Sequence, residues 1–271
     1  MTTNNLNAEP IVLANNNAQG ILRLTMNNPA RRNALSEAML TQLSQALNDA
    51  AENPAVRVIV VAANGPVFCA GHDLKELTLG RQDADNGRDY FGKIMSMCST
   101  TMQAIVNNPK PVIAEVSGVA TAAGCQLVAS CDLAYASDSA VFSTPGVNIG
   151  LFCSTPMVAL SRNIANKHAM EMLLTGDMIS AQRAAETGLI NRIADASELT
   201  TTVMDVAGKI AAKSSKTLAI GKQAFYQQRE QSLSQAYDFC ADVMVENMLA
   251  KDAEEGINAF IEKRAPQWSD Q

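Results

Sequence analysis

Two turns in this 271-residue chain have the composition of a place where main-chain groups act on a ligand. One is Phe68-Cys69-Ala70-Gly71-His72-Asp73-Leu74-Lys75; the other runs from Val119 through Ala122, Ala123, Gly124 and Cys125 to Gln126. Each follows a β-branched run that reads as a buried strand, and the second leads into a stretch of helical length. Small side chains let a ligand reach the backbone, and the first N–H groups of a helix point outward with the positive end of its dipole. Tight packing of helix on strand uses the same residues, so both readings stand at this point. If the turns converge, two fixed N–H donors could share one carbonyl oxygen and stabilise an enolate-like anion, an interaction whose loss costs about 3 kcal/mol.

Other side-chain chemistry is sparse. His72 and His168 are the only histidines, too few for a His-based metal centre, and no metal is expected. The six cysteines (Cys69, Cys98, Cys125, Cys131, Cys153, Cys240) form no CxxC pair and read as reduced core residues. A formal net charge of -6 leaves no basic stripe for phosphates, which argues against nucleic acid. The opening stretch is Asn-rich without Lys or Arg, and no apolar run reaches the ~18 residues of a span. A cytoplasmic location, no membrane partner and a disordered tail over residues 1–9 are the resulting expectations.

The elements that must position the turns follow from periodicity. Residues 10–14 and 20–26 alternate as a hairpin at or near a sheet edge. From 36 to 51 apolar residues recur at three and four, with Ser36 as N-cap and Asn53-Pro54 as the stop. Residues 56–62 and 111–116 are strands buried on both faces, 87–106 and 122–130 are helical, and 133–136 is a further strand. Strands alternating with helices give an α/β architecture with short parallel strands. Past about residue 205 strand signals vanish, and helices are expected near 203–212, 216–230 and 233–250. The last carries Tyr237, Val243, Met244 and Met248, an apolar face for the chain's own core or for another subunit.

Taken in order, several phrases resemble the crotonase (enoyl-CoA hydratase/isomerase) superfamily. They are Arg32-Asn33-Ala34-Leu35-Ser36, the 68–75 turn, Lys110 to Gly118 with Ala123-Gly124-Cys125 and Cys131-Asp132, Leu174-Thr175-Gly176 with Ile179-Ser180-Ala181, and Phe260 to Arg264. The resemblance implies a crotonase-like spiral of β-β-α repeats over 10–202 and a helical trimerisation subdomain over 203–271. A homotrimer or dimer of trimers binding an acyl-CoA thioester would result. No cofactor is expected, coenzyme A entering as part of the substrate. The backbone N–H groups of His72 and Ala123 would form the oxyanion hole. Ala34, His72, Asp73, Leu74 and Lys75 would line the adenine and pantetheine path, Arg31 and Arg32 would meet phosphates, and Phe260 and Lys263 would reach coenzyme A. Asp73 as a helix cap, and the cations as solvated surface charges, are the plainer readings of the same residues.

Where the hydratases carry two glutamates, this chain has Gln126 and Gly146. A glutamine orients water but cannot take its proton, and a glycine offers only backbone. Asn148, Cys153 and Ser154 should border the acyl pocket without supplying a carboxylate. Cys153 is either a pocket-lining residue or a thioester nucleophile with no matched histidine. An enzyme acting through an enolate, with standard hydration in doubt, is the expected function. A non-catalytic acyl-CoA-binding or assembly protein, a decarboxylase or thioesterase, and a residual hydratase are the alternatives.

Overall fold

The computed structural model describes residues 10–271, so the tail expected at 1–9 lies outside the described residues. The chain opens with the expected hairpin, β1 (Val12–Asn16) antiparallel to β2 (Ile21–Met26). Helix α1 (Glu37–Glu52) begins where Ser36 Oγ accepts the Met39 N–H at 3.1 Å, and it buries Met39, Leu40, Leu43 and Leu47. Its apolar stripe faces the sheet because those positions fall on one side of a 3.6-residue turn.

Three units then repeat, each a strand, a three-residue strand and one or more helices. The first is β3 (Val58–Ala63), β4 (Val67–Cys69), α2 (Leu74–Gly80) and α3 (Arg88–Val106). The second is β5 (Val112–Val116), β6 (Val119–Thr121) and α4 (Ala123–Ser130). The third is β7 (Leu133–Ser137), β8 (Val141–Ser143), a 3-10 turn at Pro145–Ile149 and α5 (Ser154–Asn163). After α6 (Asn166–Thr175), β9 (Ile179–Ser180), α7 (Ala181–Thr187) and β10 (Arg192–Ala194) close the sheets. One sheet has the order β1-β2-β3-β5-β7-β10, parallel from β2 onward. The other is β4-β6-β8-β9, parallel except at its β9 edge. Each turn of chain adds one strand to both sheets, which is the expected α/β spiral. The 68–75 segment, read as a loop, contains the end of β4 and the start of α2.

The remaining helices are α8 (Leu199–Ala211), α9 (Ser215–Gln228), α10 (Leu233–Leu249) and α11 (Lys251–Glu262). Residue 203 falls inside α8. Leu199, Val203, Ala207 and Ala211 of that helix bury against Ile21, Val58, Val60, Ile113 and Tyr135, so α8 covers a face of the sheet. Helix α11 directly follows α10 and has no counterpart in the sequence reading.

One buried cluster ties the late helices to the spiral. Lys222 Nζ on α9 donates to Ile105 O (2.9 Å), Lys110 O (3.0 Å) and Asp132 Oδ2 (2.6 Å), while Tyr226 OH donates to Asp132 Oδ1 at 2.9 Å. Burial draws the Lys222 ammonium below the usual lysine range, and Asp132 opposes that shift. Of the two readings of α10, packing on the chain's own core is not what the structure has: none of its residues is buried, and Tyr237, Met244 and Met248 are exposed.

Candidate functional site

The two small-residue turns converge. A Cβ placed at Gly124 would lie 2.1 Å from Cys69 O, and one at Gly118 would lie 2.2 Å from Pro66 O. Only glycine lets β4 and its loop pass this close to β6 and the head of α4. Gly71, at φ +85°, completes the approach: a Cβ there would meet Ala122 Cβ at 2.9 Å and Ala123 N at 3.3 Å. Packing is thus one use of these glycines, and its result is that the residue after Gly71 and the residue after Ala122 share a small space.

Ala122 adopts φ +50° and ψ -120° with its N–H bonded to Ser143 O at 2.9 Å, a conformation costly for an L residue and of the kind found at ligand-binding turns. Ala123 opens α4, where a helix leaves its first N–H groups without internal acceptors. Among the described residues, no acceptor takes the N–H of His72 or of Ala123. Among the described residues neither ring nitrogen of His72 has a well-formed hydrogen bond; burial pulls its pKa below the ordinary histidine value, and the nearby Leu35 backbone opposes that shift more weakly. The fold therefore fixes the backbone of His72 while leaving its imidazole neutral.

A third segment frames the site. Ala70 N–H donates to Arg32 O at 3.1 Å and Leu35 N–H to Gly71 O at 2.8 Å, so residues 32–35 run beside the 68–75 loop. Asn33, which the sequence reading quoted without assigning it a task, holds this arrangement together. At φ +50° and fully buried, it donates through Nδ2 to Asn64 O (2.9 Å) and Val67 O (2.8 Å) and accepts from Asn28 N (2.8 Å). Asparagine suits the left-handed backbone here, and the Arg32-Asn33 pair before an apolar residue was the available signal.

The expected ligand-path residues divide accordingly. Ala34, His72, Asp73, Leu74 and Lys75 come together at this frame. Asp73 is the N-cap of α2, accepting from the N–H groups of Lys75 (3.0 Å) and Glu76 (3.3 Å). Arg31 forms an ion pair with Asp73, so its guanidinium is already engaged, whereas Arg32 and Lys75 are exposed and, among the described residues, have no side-chain partner. Phe260, 85% exposed, and Lys263 lie at the end of α11, which packs on α9 and α10, and the single chain makes no hydrogen bond between them and this frame.

Gln126, one turn into α4, is 4% exposed, with Cys98 Sγ 4.0 Å from its Oε1. It lines a cavity of about 890 Å³ bounded by α3, α4, α5 and α9. One carboxylate borders that cavity, Glu230, at the α9 end and 3.4 Å from Arg162 NH2. It is exposed, and it stands on the wall opposite α4. Gly146 is buried, and a Cβ there would meet Leu151 O at 2.7 Å and Cys153 Sγ at 2.9 Å. The Cys153 thiol thus occupies space that a side chain at 146 would need; burial raises its pKa, while the Gly146 backbone works the other way. Cys69, Cys98 and Cys125 are pushed up to about 12 by burial, which leaves them as inert thiols. Asn148 and Ser154 flank this turn on its exposed side.

A two-sheet spiral in which two small-residue turns meet at the head of a helix is the architecture of a crotonase-type protein. The family model "Enoyl-CoA hydratase/isomerase" matches residues 16–271, and the chain belongs to that family. It is 50% identical over 262 residues to the rat "Enoyl-CoA hydratase domain-containing protein 3, mitochondrial", covering 97% of this chain and 86% of that protein. A solved enoyl-CoA hydratase from Mycobacterium smegmatis matches with a TM-score of 0.91 at 47% identity, over 96% of this chain and 99% of that one. The human enoyl Coenzyme A hydratase domain-containing protein 3 matches with a TM-score of 0.90 at 46% identity, over 95% and 100% of the two chains. The cytoplasmic expectation, which rests on the Asn-rich opening stretch, is corrected by the rat, mouse and human relatives, all named as mitochondrial proteins. No helix among the described residues is long and apolar enough to cross a membrane.

Proposed function

We propose that this protein binds an acyl-CoA thioester and stabilises its enolate through the N–H groups of His72 and Ala123, without the acid pair of the standard hydratases. The observation that carries the reading is the convergence of two glycine-dependent turns on two N–H groups that the fold leaves without acceptors. Such donors act on charge that develops at the carbonyl oxygen and need no reorganisation when it forms. Ala34, Leu74 and Lys75 would flank the pantetheine and adenine, with Arg32 rather than the engaged Arg31 as the nearer phosphate contact. Asn148, Cys153 and Ser154 would border the acyl group.

Neither Gln126 nor Gly146 can remove a proton, so a reaction that makes its own carbanion, such as decarboxylation, or a purely binding role fits these residues better than water addition. Assembly as a trimer or dimer of trimers would cover the exposed apolar residues of α10 and α11 and would bring Phe260 and Lys263 to a neighbouring subunit's coenzyme A. Calorimetry with coenzyme A and short acyl-CoAs, beside turnover assays on crotonyl-CoA and malonyl-type thioesters, tests the reading. Micromolar thioester binding with little or no hydration is expected. Brisk hydration of crotonyl-CoA by the native chain would overturn the lost-acid argument, and absence of binding would overturn the ligand.

A further inference from the structure

The cavity beyond Gln126 has a mixed lining. Met102 and Val106 of α3 and Val158 of α5 give it an apolar strip, set among the polar Ser99, Gln103, Thr155 and Arg162 of the same helices. The other side is α9, whose lining residues Ala219, Gln223, Tyr226 and Gln227 fall at the three- and four-residue spacing of a single helix face, with Glu230 just past its end. In an amphipathic helix that inward stripe is normally apolar. Here it is mainly polar, and among the described residues the exposed Gln223 and Gln227 make no side-chain hydrogen bond. At the inner end stands Gln126, 4% exposed, with Cys98 Sγ 4.0 Å from its Oε1. Gln126 and Ser130 on α4 line the same cavity, which therefore extends away from Ala123 by about 10 Å at 1.5 Å per residue.

We propose that this cavity selects acyl groups with an apolar stem and an oxygen function, hydroxyl or carboxylate, at the end remote from the thioester. The inference rests on the acyl-CoA reading and names its substrate class. The stem lies along Met102, Val106 and Val158, and the terminal oxygen takes the N–H groups of Gln223 and Gln227. A plain aliphatic tail would strip water from those carboxamides and return no partner, which penalises it against an oxygenated chain of equal length.

The test is calorimetry on the full chain with coenzyme A, hexanoyl-CoA, ω-hydroxyhexanoyl-CoA and its ω-carboxy counterpart, repeated on Gln223→Leu/Gln227→Leu. Both substituted side chains are exposed, and circular dichroism checks that the variant is folded. One or both oxygenated thioesters should bind about tenfold tighter than hexanoyl-CoA, the size of one good hydrogen bond at a half-open site. In the double variant that preference should vanish while affinity for coenzyme A itself stays unchanged. Equal or tighter binding of hexanoyl-CoA by the native chain, or a preference that survives in the variant, overturns the inference and leaves the acyl-CoA reading intact. Failure of coenzyme A and every thioester to bind removes the acyl-CoA reading and this inference with it.

Discussion

Restoring the two acids should succeed at one position and fail at the other. Gln126→Glu keeps the side-chain shape and sits beside a cavity, so the carboxyl has room; burial will raise its pKa, and the variant should lose only about 1–3 kcal/mol. Gly146 is different. Its backbone φ is not positive, so the obstacle is purely steric: a Cβ would stand 2.7 Å from Leu151 O and 2.9 Å from Cys153 Sγ. The Leu151 carbonyl cannot simply swing away, because the same turn is closed by the Leu151 N–H donating to Gly146 O at 2.9 Å. Overpacking of this kind costs about 1–3 kcal/mol for the first added carbon. At roughly 2–4 °C per kcal/mol for a chain of this size, Gly146→Ala should lower the Tm by roughly 2–12 °C, and Gly146→Glu by more. Replacing Cys153 by Ala in the Gly146→Ala background should recover part of the loss, since it removes one of the two clashes. Scanning calorimetry reads these shifts, and hydration of crotonyl-CoA by the Gln126→Glu/Gly146→Glu double variant should stay near background. A Gly146→Ala protein melting within about 1 °C of the native one would refute the steric argument.

Three further outcomes follow from the same geometry. Lys222→Met should cost about 3–5 kcal/mol in urea unfolding, because it strands Asp132 and two carbonyl oxygens at a buried junction; a loss under 1 kcal/mol would mean that α9 is held by other contacts. Because burial favours the neutral His72 ring, the unfolded chain takes up the proton first: stability is fully present above pH 6.5 and declines as the pH falls below it, and His72→Ala should flatten that decline. An unchanged pH profile in His72→Ala would show that the ring is not the source. Asn33→Ala should destabilise by about 2–4 kcal/mol, as it removes three hydrogen bonds at a left-handed residue, and should weaken acyl-CoA binding through the 32–35 frame; loss of stability with native affinity would separate the frame from the site.

Long periodic elements were readable from residues alone. Ser36 and the Met39-Leu40-Leu43-Leu47 stripe define α1, and the all-buried run of β3 needed no pattern beyond its β-branched residues. The strands β4, β6 and β8 were not, because three residues carry no period; their pairing is set by the longer strands beside them. That α8 covers the sheet was not legible for a related reason: its apolar face looks the same whether it meets another helix or the sheet. Within the site, the two small-residue turns stand out by composition, whereas His72 and Ala123 as donors come from the family resemblance. The task of Asn33 depends on carbonyls some thirty residues later, and the α9 wall of the cavity comes from about a hundred residues past Gln126, so neither is visible in local sequence.

The paired donors are main-chain groups and cannot be deleted by substitution, so the most direct measurement watches the carbonyl itself. Isotope-edited infrared spectroscopy of an acyl-CoA labelled with carbon-13 at the thioester carbon reports the carbonyl stretch of the bound ligand. Two N–H donors from His72 and Ala123 must weaken that bond, and the band should move to lower frequency than in water. A bound thioester whose band stays at or above its aqueous position would show that these amides do not hold the carbonyl.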